Sequence, residues 1–143
     1  MRDLNNNIGV VQSLAPAARS SDADGTGVDL QGFESATIVI DMGAEGITLS
    51  STNKIEIELE HSDDNSTFTD VTSSADVIGA TPDSNGVIAT FDDVAEAPAV
   101  STVGYIGGKR YIRAVANFSG THGSATPLAV SVIKGHARSN PVS

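Results

Sequence analysis

Eighteen acidic against eight basic side chains give this 143-residue chain a net charge of −10, and it has neither cysteine nor tryptophan. That charge argues against a nucleic-acid partner, whose phosphates are met by Lys and Arg, and the missing cysteines exclude disulfides, thiolate metal sites and Cys nucleophiles. The length suits one domain that folds without a metal or disulfide staple, and with aromatics at 4% its core must come from Val, Ile, Leu and Ala.

Residues 1–30 differ from the rest. Ile8-Gly9-Val10-Val11 predicts a short strand, Pro16 interrupts it, and Ser20 to Gly27 is a polar, Gly-containing loop. Two readings fit: an extended N-terminal arm with one strand-forming segment, or an ordinary first edge strand followed by a loop. The arm is the working expectation, with residues 1–24 dispensable for folding because they carry few apolar side chains. The opening residues lack the apolar core and small-residue cleavage site of a signal peptide. No run approaches the roughly eighteen apolar residues of a membrane span, so no membrane partner is expected.

Clear alternation follows. Ala36, Ile38, Ile40 and Met42 point one way and Thr37 and Asp41 the other, with Val39 the exception. Ile55, Ile57 and Leu59 alternate with Glu56, Glu58 and Glu60, the pattern of an antiparallel strand wet on one face. Val87, Ala89 and Phe91 predict a shorter strand. Ile112, Ala114, Ala116 and Phe118 line one face of the next, and Leu128, Val130 and Val132 one face of the last.

Turn chemistry separates these runs at Gly43–Gly46, Ser62–Ser66, Pro82–Gly86, Gly107-Gly108 and Gly120–Gly123. Asn85-Gly86 is the sharpest, predicting a tight hairpin. Helical hints are confined to single turns at Ser73–Asp76 and Asp92–Ala97. The expected fold is all-β: a single antiparallel β-sandwich or jelly-roll-like barrel of about seven or eight strands with an extended N-terminal arm. The body covers residues 31–135 and a C-terminal tail residues 136–143.

The constellations that could carry chemistry have plainer readings. The Glu56, Glu58, Glu60 row spaces its carboxylates about 6.5–7 Å apart, which reads as a solvated face that discourages aggregation. Asp63, Asn65 and Thr67 alternate as in a calcium loop, but Phe68 and Ser74 stand where that loop needs Gly and Glu. Gly107-Gly108-Lys109 fails as a phosphate loop, with Val103 and Arg110 at the diagnostic places. His61, His122 and His136 fall in separate segments, and no Gly-x-Ser-x-Gly elbow is present. No enzyme, metal or cofactor is expected.

Four segments carry a resemblance: Gly25–Ala36 (GTGVDLQGFESA), Leu59–Asp64 (LEHSDD), Gly104–Tyr111 (GYIGGKRY) and Val130–Arg138 (VSVIKGHAR). Together they resemble a family of small tailed-phage virion proteins encoded beside the major capsid protein. The resemblance implies a capsid decoration, or cement, protein or a minor head component, without catalytic residues, made in the host cytoplasm and carried on the capsid surface. It implies the major capsid protein as partner, with copies of itself as a further candidate. In that setting Ile8, Val10 and Val11 in the arm are candidate capsid contacts, adding a strand to a neighbour's sheet. Lys109, Arg110 and Arg113, the one cluster of bases, are candidates to face an acidic capsid patch. Two alternatives remain: a head–tail connector or tail-tube component, and a β-sandwich glycan-binding module. The second is weakened by the lack of Trp and by having only Tyr105 and Tyr111 as tyrosines.

Overall fold

A computed structural model describes residues 3–140 and Val142 as two packed antiparallel sheets. In chain order the strands are β1 (Gly9–Arg19), β2 (Ala23–Asp24), β3 (Val28–Asp29), β4 (Phe33–Met42), β5 (Lys54–Ser62) and β6 (Thr69–Asp70). They continue as β7 (Val77–Ile78), β8 (Val87–Phe91), β9 (Ala99–Tyr105), β10 (Tyr111–Ser119) and β11 (Thr126–Ala137). Seven are five residues or longer, the number expected from the alternation, and four are two-residue bridges. One sheet runs β1-β11-β4-β9-β7, and the other has β10 and β5 at its centre. The only helical element among the described residues is a 3-10 turn, Val94–Glu96, capped by Asp93 and Glu96.

The second sheet is four strands wide, because its short strands lie end to end. β2 and β3 share one side of β10, and β6 and β8 share one side of β5. The joins are specific. Leu59 donates its N–H to the Gly86 carbonyl (2.9 Å) and accepts from the Val71 N–H (2.9 Å) where β8 gives way to β6. At the matching place on β10, the Ala114 carbonyl accepts the Gly25 N–H (2.8 Å), and the Ala114 N–H donates to Ser13 Oγ (2.9 Å).

Most of the inward-facing positions read from the alternation on β4, β5, β10 and β11 are buried, and Leu14, Val28, Leu49, Val71, Val77, Ile88, Val103 and Tyr105 join them from segments that the alternation did not mark. Ile38, Ile40, Ile55, Ile57, Leu59, Ile112, Ala116 and Val130 have no exposed surface, and Tyr105 supplies the bulk that a Trp-free core otherwise lacks. At about 25 cal/mol per Å² such small side chains stabilise only when packed without gaps.

The N-terminal segment is not a free arm. Of the two readings, the edge strand is the one observed: β1 pairs with β11 from Gly9↔Lys134 to Arg19↔Thr126. Leu14 enters the core at 2% exposure. Register shifts between Gln12 and Leu14 and between Leu14 and Ala17 break the period of two, which is why the sequence pattern marks a strand only up to Val11 and not on to Arg19. Ser13, buried in the first bulge, ties the sheets together. Its hydroxyl donates to the Thr26 carbonyl (3.1 Å), and its own carbonyl accepts the Thr26 N–H (2.7 Å). Gly9–Arg19 is therefore a strand of the body, which argues against the expected dispensability of residues 1–24.

Three smaller differences have local causes. The C-terminal strand runs two residues beyond the expected boundary, to Ala137. After it, the Arg138 N–H donates to the Gly32 carbonyl (2.9 Å) and the Val142 N–H to the Asn6 carbonyl (3.1 Å). Asn85-Gly86 makes a turn but no hairpin. Gly86 has φ +74 while Asn85 stays outside the left-handed region, and the strands on either side, β7 and β8, belong to different sheets. Finally, β9 lies outside the expected strands, because Ala99-Val100-Ser101-Thr102 places no apolar alternation on either face.

Candidate interaction surface

The two sheets turn very different faces to solvent. Directly opposed residues in antiparallel strands share a face, so the register gives the outer surface of each sheet row by row. On the β10–β5 sheet the rows carry Glu56, Glu58 and Glu60 from β5, Arg113 from β10, Asp70 from β6, and Asp24 and Asp29 from β2 and β3. Lys54 and Arg113 are the only bases among them.

On the five-stranded sheet three rows cross the strands. The first is Val10, Ile133, Thr37, Gly104 and Ile78; the second Gln12, Ser131, Val39 and Thr102; the third Ala129, Asp41 and Val100. Asp41 is the single charge on this face. Val10, Ile78 and Val100 are 61%, 59% and 70% exposed, unusual for residues of their type. Strand spacing and rise give the face an area of roughly 400 Å², in which Val10, Ile133, Ile78, Val39, Ala129 and Val100 are interleaved with Thr37, Gln12, Ser131, Thr102 and Asp41. The signal for it in the sequence was Val39, the exception to the alternation in β4. Val100, Ile78 and Ile133 were not found, since only pairing shows that they share a face.

The structure divides the expected contact residues into two groups. Val10 and Val11 lie on the open edge of β1, with Ile8 half-buried just before it. Lys109, Arg110 and Arg113 do not form one free basic patch. Lys109 is paired with Asp63, Arg110 with both oxygens of Asp29 (3.0 and 2.7 Å), and Arg113 with Glu60 and, at 3.4 Å, Asp24. Arg113 also covers the Phe68 ring at 4.4 Å. The Arg110 hydrogen bonds hold the Asp29 carboxyl below its usual range. Four carboxylates surround three bases, so the cluster offers an acidic partner no net positive field.

Other polar groups are spent on the fold. Tyr105 is buried at 2% exposure, and its hydroxyl accepts the Lys109 N–H (3.2 Å) and lies 3.0 Å from His61 Nδ1. It therefore offers no aromatic platform to a glycan. Burial lowers the pKa of His61. In the hairpin after β5, the Thr67 and Ser66 amides and the Ser62 hydroxyl hold the Asp64 carboxyl down to about 2. His122 packs edge-on to Phe118, and His136 Nδ1 meets Ser35 Oγ at 2.7 Å. Among the described residues no carboxylate pairs with any of these histidines, and no cluster of three His, Asp or Glu is placed to hold a metal. A groove of about 350 Å³ lies between Leu30–Ala36 and Tyr105–Arg110, with Arg138 at its rim bound to Glu34 (2.6 Å).

Glu58 is the one strained member of its row. Glu56 bonds Lys54 (2.7 Å) and Glu60 bonds Arg113, whereas Glu58 has no ion-pair partner among the described residues. Burial, then the charges of Asp70, Glu60, Asp83 and Glu56, raise its pKa above 4.5. A carboxyl raised on folding binds more protons in the native state, so its ionisation costs stability as pH rises from 4.5 through the raised value. Glu58→Gln should therefore raise Tm at pH 7 by about 1–2 °C, since the desolvation and repulsion it relieves are largely screened by solvent at this partly exposed site. The gain should vanish at pH 4, where Glu58 is protonated in both states. Equal gains at both pH values in thermal melts would mean that charge is not the cause.

Compared with protein-family models and with curated proteins, the chain matches none.

Proposed function

We propose that this is a non-enzymatic structural protein of the virion that decorates a tailed-phage capsid. Its neutral five-stranded face lies on the shell and its acidic sheet is turned to solvent. The observation that carries this reading is the asymmetry itself: a nearly charge-free, valine-rich face on one side of a body of net charge −10. A nearly uncharged face of roughly 400 Å² is about half of what one partner contributes to a stable interface. Such a contact is weak alone and strong when repeated over a lattice, because each site adds its own stabilisation to the closed shell. The acidic outer surface keeps a protein made in many copies soluble. The neutral face, with Val10 from the β1 edge, replaces the basic cluster as the principal contact.

The test is binding to capsids that lack the protein. The double variant Val39→Lys, Val100→Lys should bind at least tenfold more weakly in co-sedimentation, with a melting temperature within a few degrees of the parent, since exposed substitutions cost about 0.5 kcal/mol or less. Particles without the protein should assemble yet lose DNA at lower temperature than complete ones. Undiminished binding by the variant would reject the face as the contact. A position confined to the neck in particle images would favour a connector.

A further inference from the structure

We propose that the segment Ile106–Lys109 is a strap closed over Tyr105 by a proton-sensitive latch, the hydrogen-bond chain from Lys109 N–H through Tyr105 Oη to His61 Nδ1. It holds at neutral pH and lets go when His61 takes up a second ring proton. Two points fix the strap. The Ile106 N–H donates to the Asp76 carbonyl (2.8 Å), and the Lys109 N–H donates to Tyr105 Oη (3.2 Å). Between them Gly107 lies directly over the phenol, where a Cβ would stand 2.5 Å from Tyr105 Oη, while Gly108 has open space around it. The strap also walls the groove of about 350 Å³ whose opposite side is Leu30–Ala36. Its release would widen that groove and uncover the Tyr105 hydroxyl.

Hydrogen-bond direction sets the chemistry. A tyrosine hydroxyl has one proton to give, and a backbone N–H can only donate. Tyr105 Oη therefore accepts from Lys109 and gives its own proton to His61 Nδ1, 3.0 Å away. That bond needs an unprotonated Nδ1, so the neutral ring carries its proton on Nε2. A second proton turns Nδ1 into a donor. Tyr105 Oη then meets two donors, and its own proton is left buried without an acceptor, which is costly. Opening the strap relieves the conflict by admitting water to the hydroxyl.

The charged groups facing the ring come from three places. Asp63 and Asp64 stand in the turn after β5, Asp76 precedes β7, and Lys109 ends the strap. Lys109 is paired with Asp63, and Asp64 is held by Ser62 and the amides of the turn. The neighbouring strands β6 and β10 place only Thr69 and Ile112 opposite His61. Burial, with Lys109 and against Asp76 and Asp63, keeps the His61 pKa below its ordinary 6.5. The open strap therefore binds the proton more tightly, so opening is favoured as pH falls below 6.5 and levels off below the closed value. Protons have a route, since the ring borders a solvent-open hollow shared with Thr67 and Thr69.

The test is NMR of the full chain. At pH 7.5 the His61 ring nitrogens should report the Nε2–H form. Protection of the Lys109 amide against exchange, corrected for the intrinsic rate, should fall about threefold or more from pH 7.5 to pH 5. Tyr105→Phe should lower that protection about tenfold at pH 7.5 and raise the His61 pKa. His61→Gln keeps an acceptor for the hydroxyl but cannot titrate, so protection should agree within about twofold at the two pH values. An Nδ1–H ring at neutral pH, wild-type protection that does not change with pH, or wild-type pH dependence in His61→Gln would each overturn the proposal. So would an equal loss of protection at Ile57 in the other sheet, which would mean general unfolding rather than release of the strap.

Discussion

Deletion of residues 1–24 is expected to abolish cooperative folding. The deleted stretch supplies the whole of β1, whose ladder with β11 runs from Gly9 to Arg19, and it supplies Leu14 to the core. Burial of a leucine is worth about 1.5–3 kcal/mol. The loss would not stop there. The inward residues of β11 itself, Leu128, Val130 and Val132, would each lose cover on one side. Removing Ser13 also strands the buried Ala114 N–H, and an unsatisfied buried donor costs about 1–3 kcal/mol. Together these losses reach the whole stability of a typical domain, about 5–15 kcal/mol. Far-UV circular dichroism of residues 25–143 on heating should show no sharp transition. A cooperative melt within a few degrees of the full chain would mean that β1 is an accessory strand.

Gly25→Ala should destabilise the protein by roughly 2–4 kcal/mol, although it adds a single methyl group. A Cβ at this position would sit 2.6 Å from the Ala114 carbonyl oxygen, 2.7 Å from Ser13 Oγ and 2.8 Å from the Ser13 carbonyl oxygen. Two of these atoms are backbone, so no side-chain rotation relieves the contact. The segment must move away from β10, and it then weakens the Gly25–Ala114 hydrogen bond and the Ser13–Thr26 pair that join the sheets. Urea denaturation should show the midpoint falling with the slope unchanged. Gly32→Ala is a suitable contrast. It has open space around its Cβ, so its cost comes from its φ of +88 alone. If Gly25→Ala were the milder of the two, the close packing at the join would not be limiting.

How much was legible in the sequence follows from the range of the forces involved. Alternation is a local property of the strand, so β4, β5, β10 and the middle of β11 could be read with their inward faces, and the Gly- and Asp-rich turns between them could be placed. Those features depend on neighbours one or two residues away. The sequence by itself thus determined the all-β class, the share of the core that lies on β4, β5, β10 and β11, and the wet acidic row on β5. Tertiary structure decided the rest. β1 lost its period to two register shifts, and at the first of them Ser13 reaches across to the Ala114 N–H, 101 residues away. The bases at 109, 110 and 113 form a cluster in the chain, but pairing with Asp29, Asp63, Asp24 and Glu60 cancels it. The neutral face joins Val10, Val39, Ile78, Val100 and Ile133, of which only Val10 and Val39, the break in the β4 alternation, stand out in their own segments. Their common exposure is a property of sheet order and register, set by long-range hydrogen bonding rather than by any local pattern.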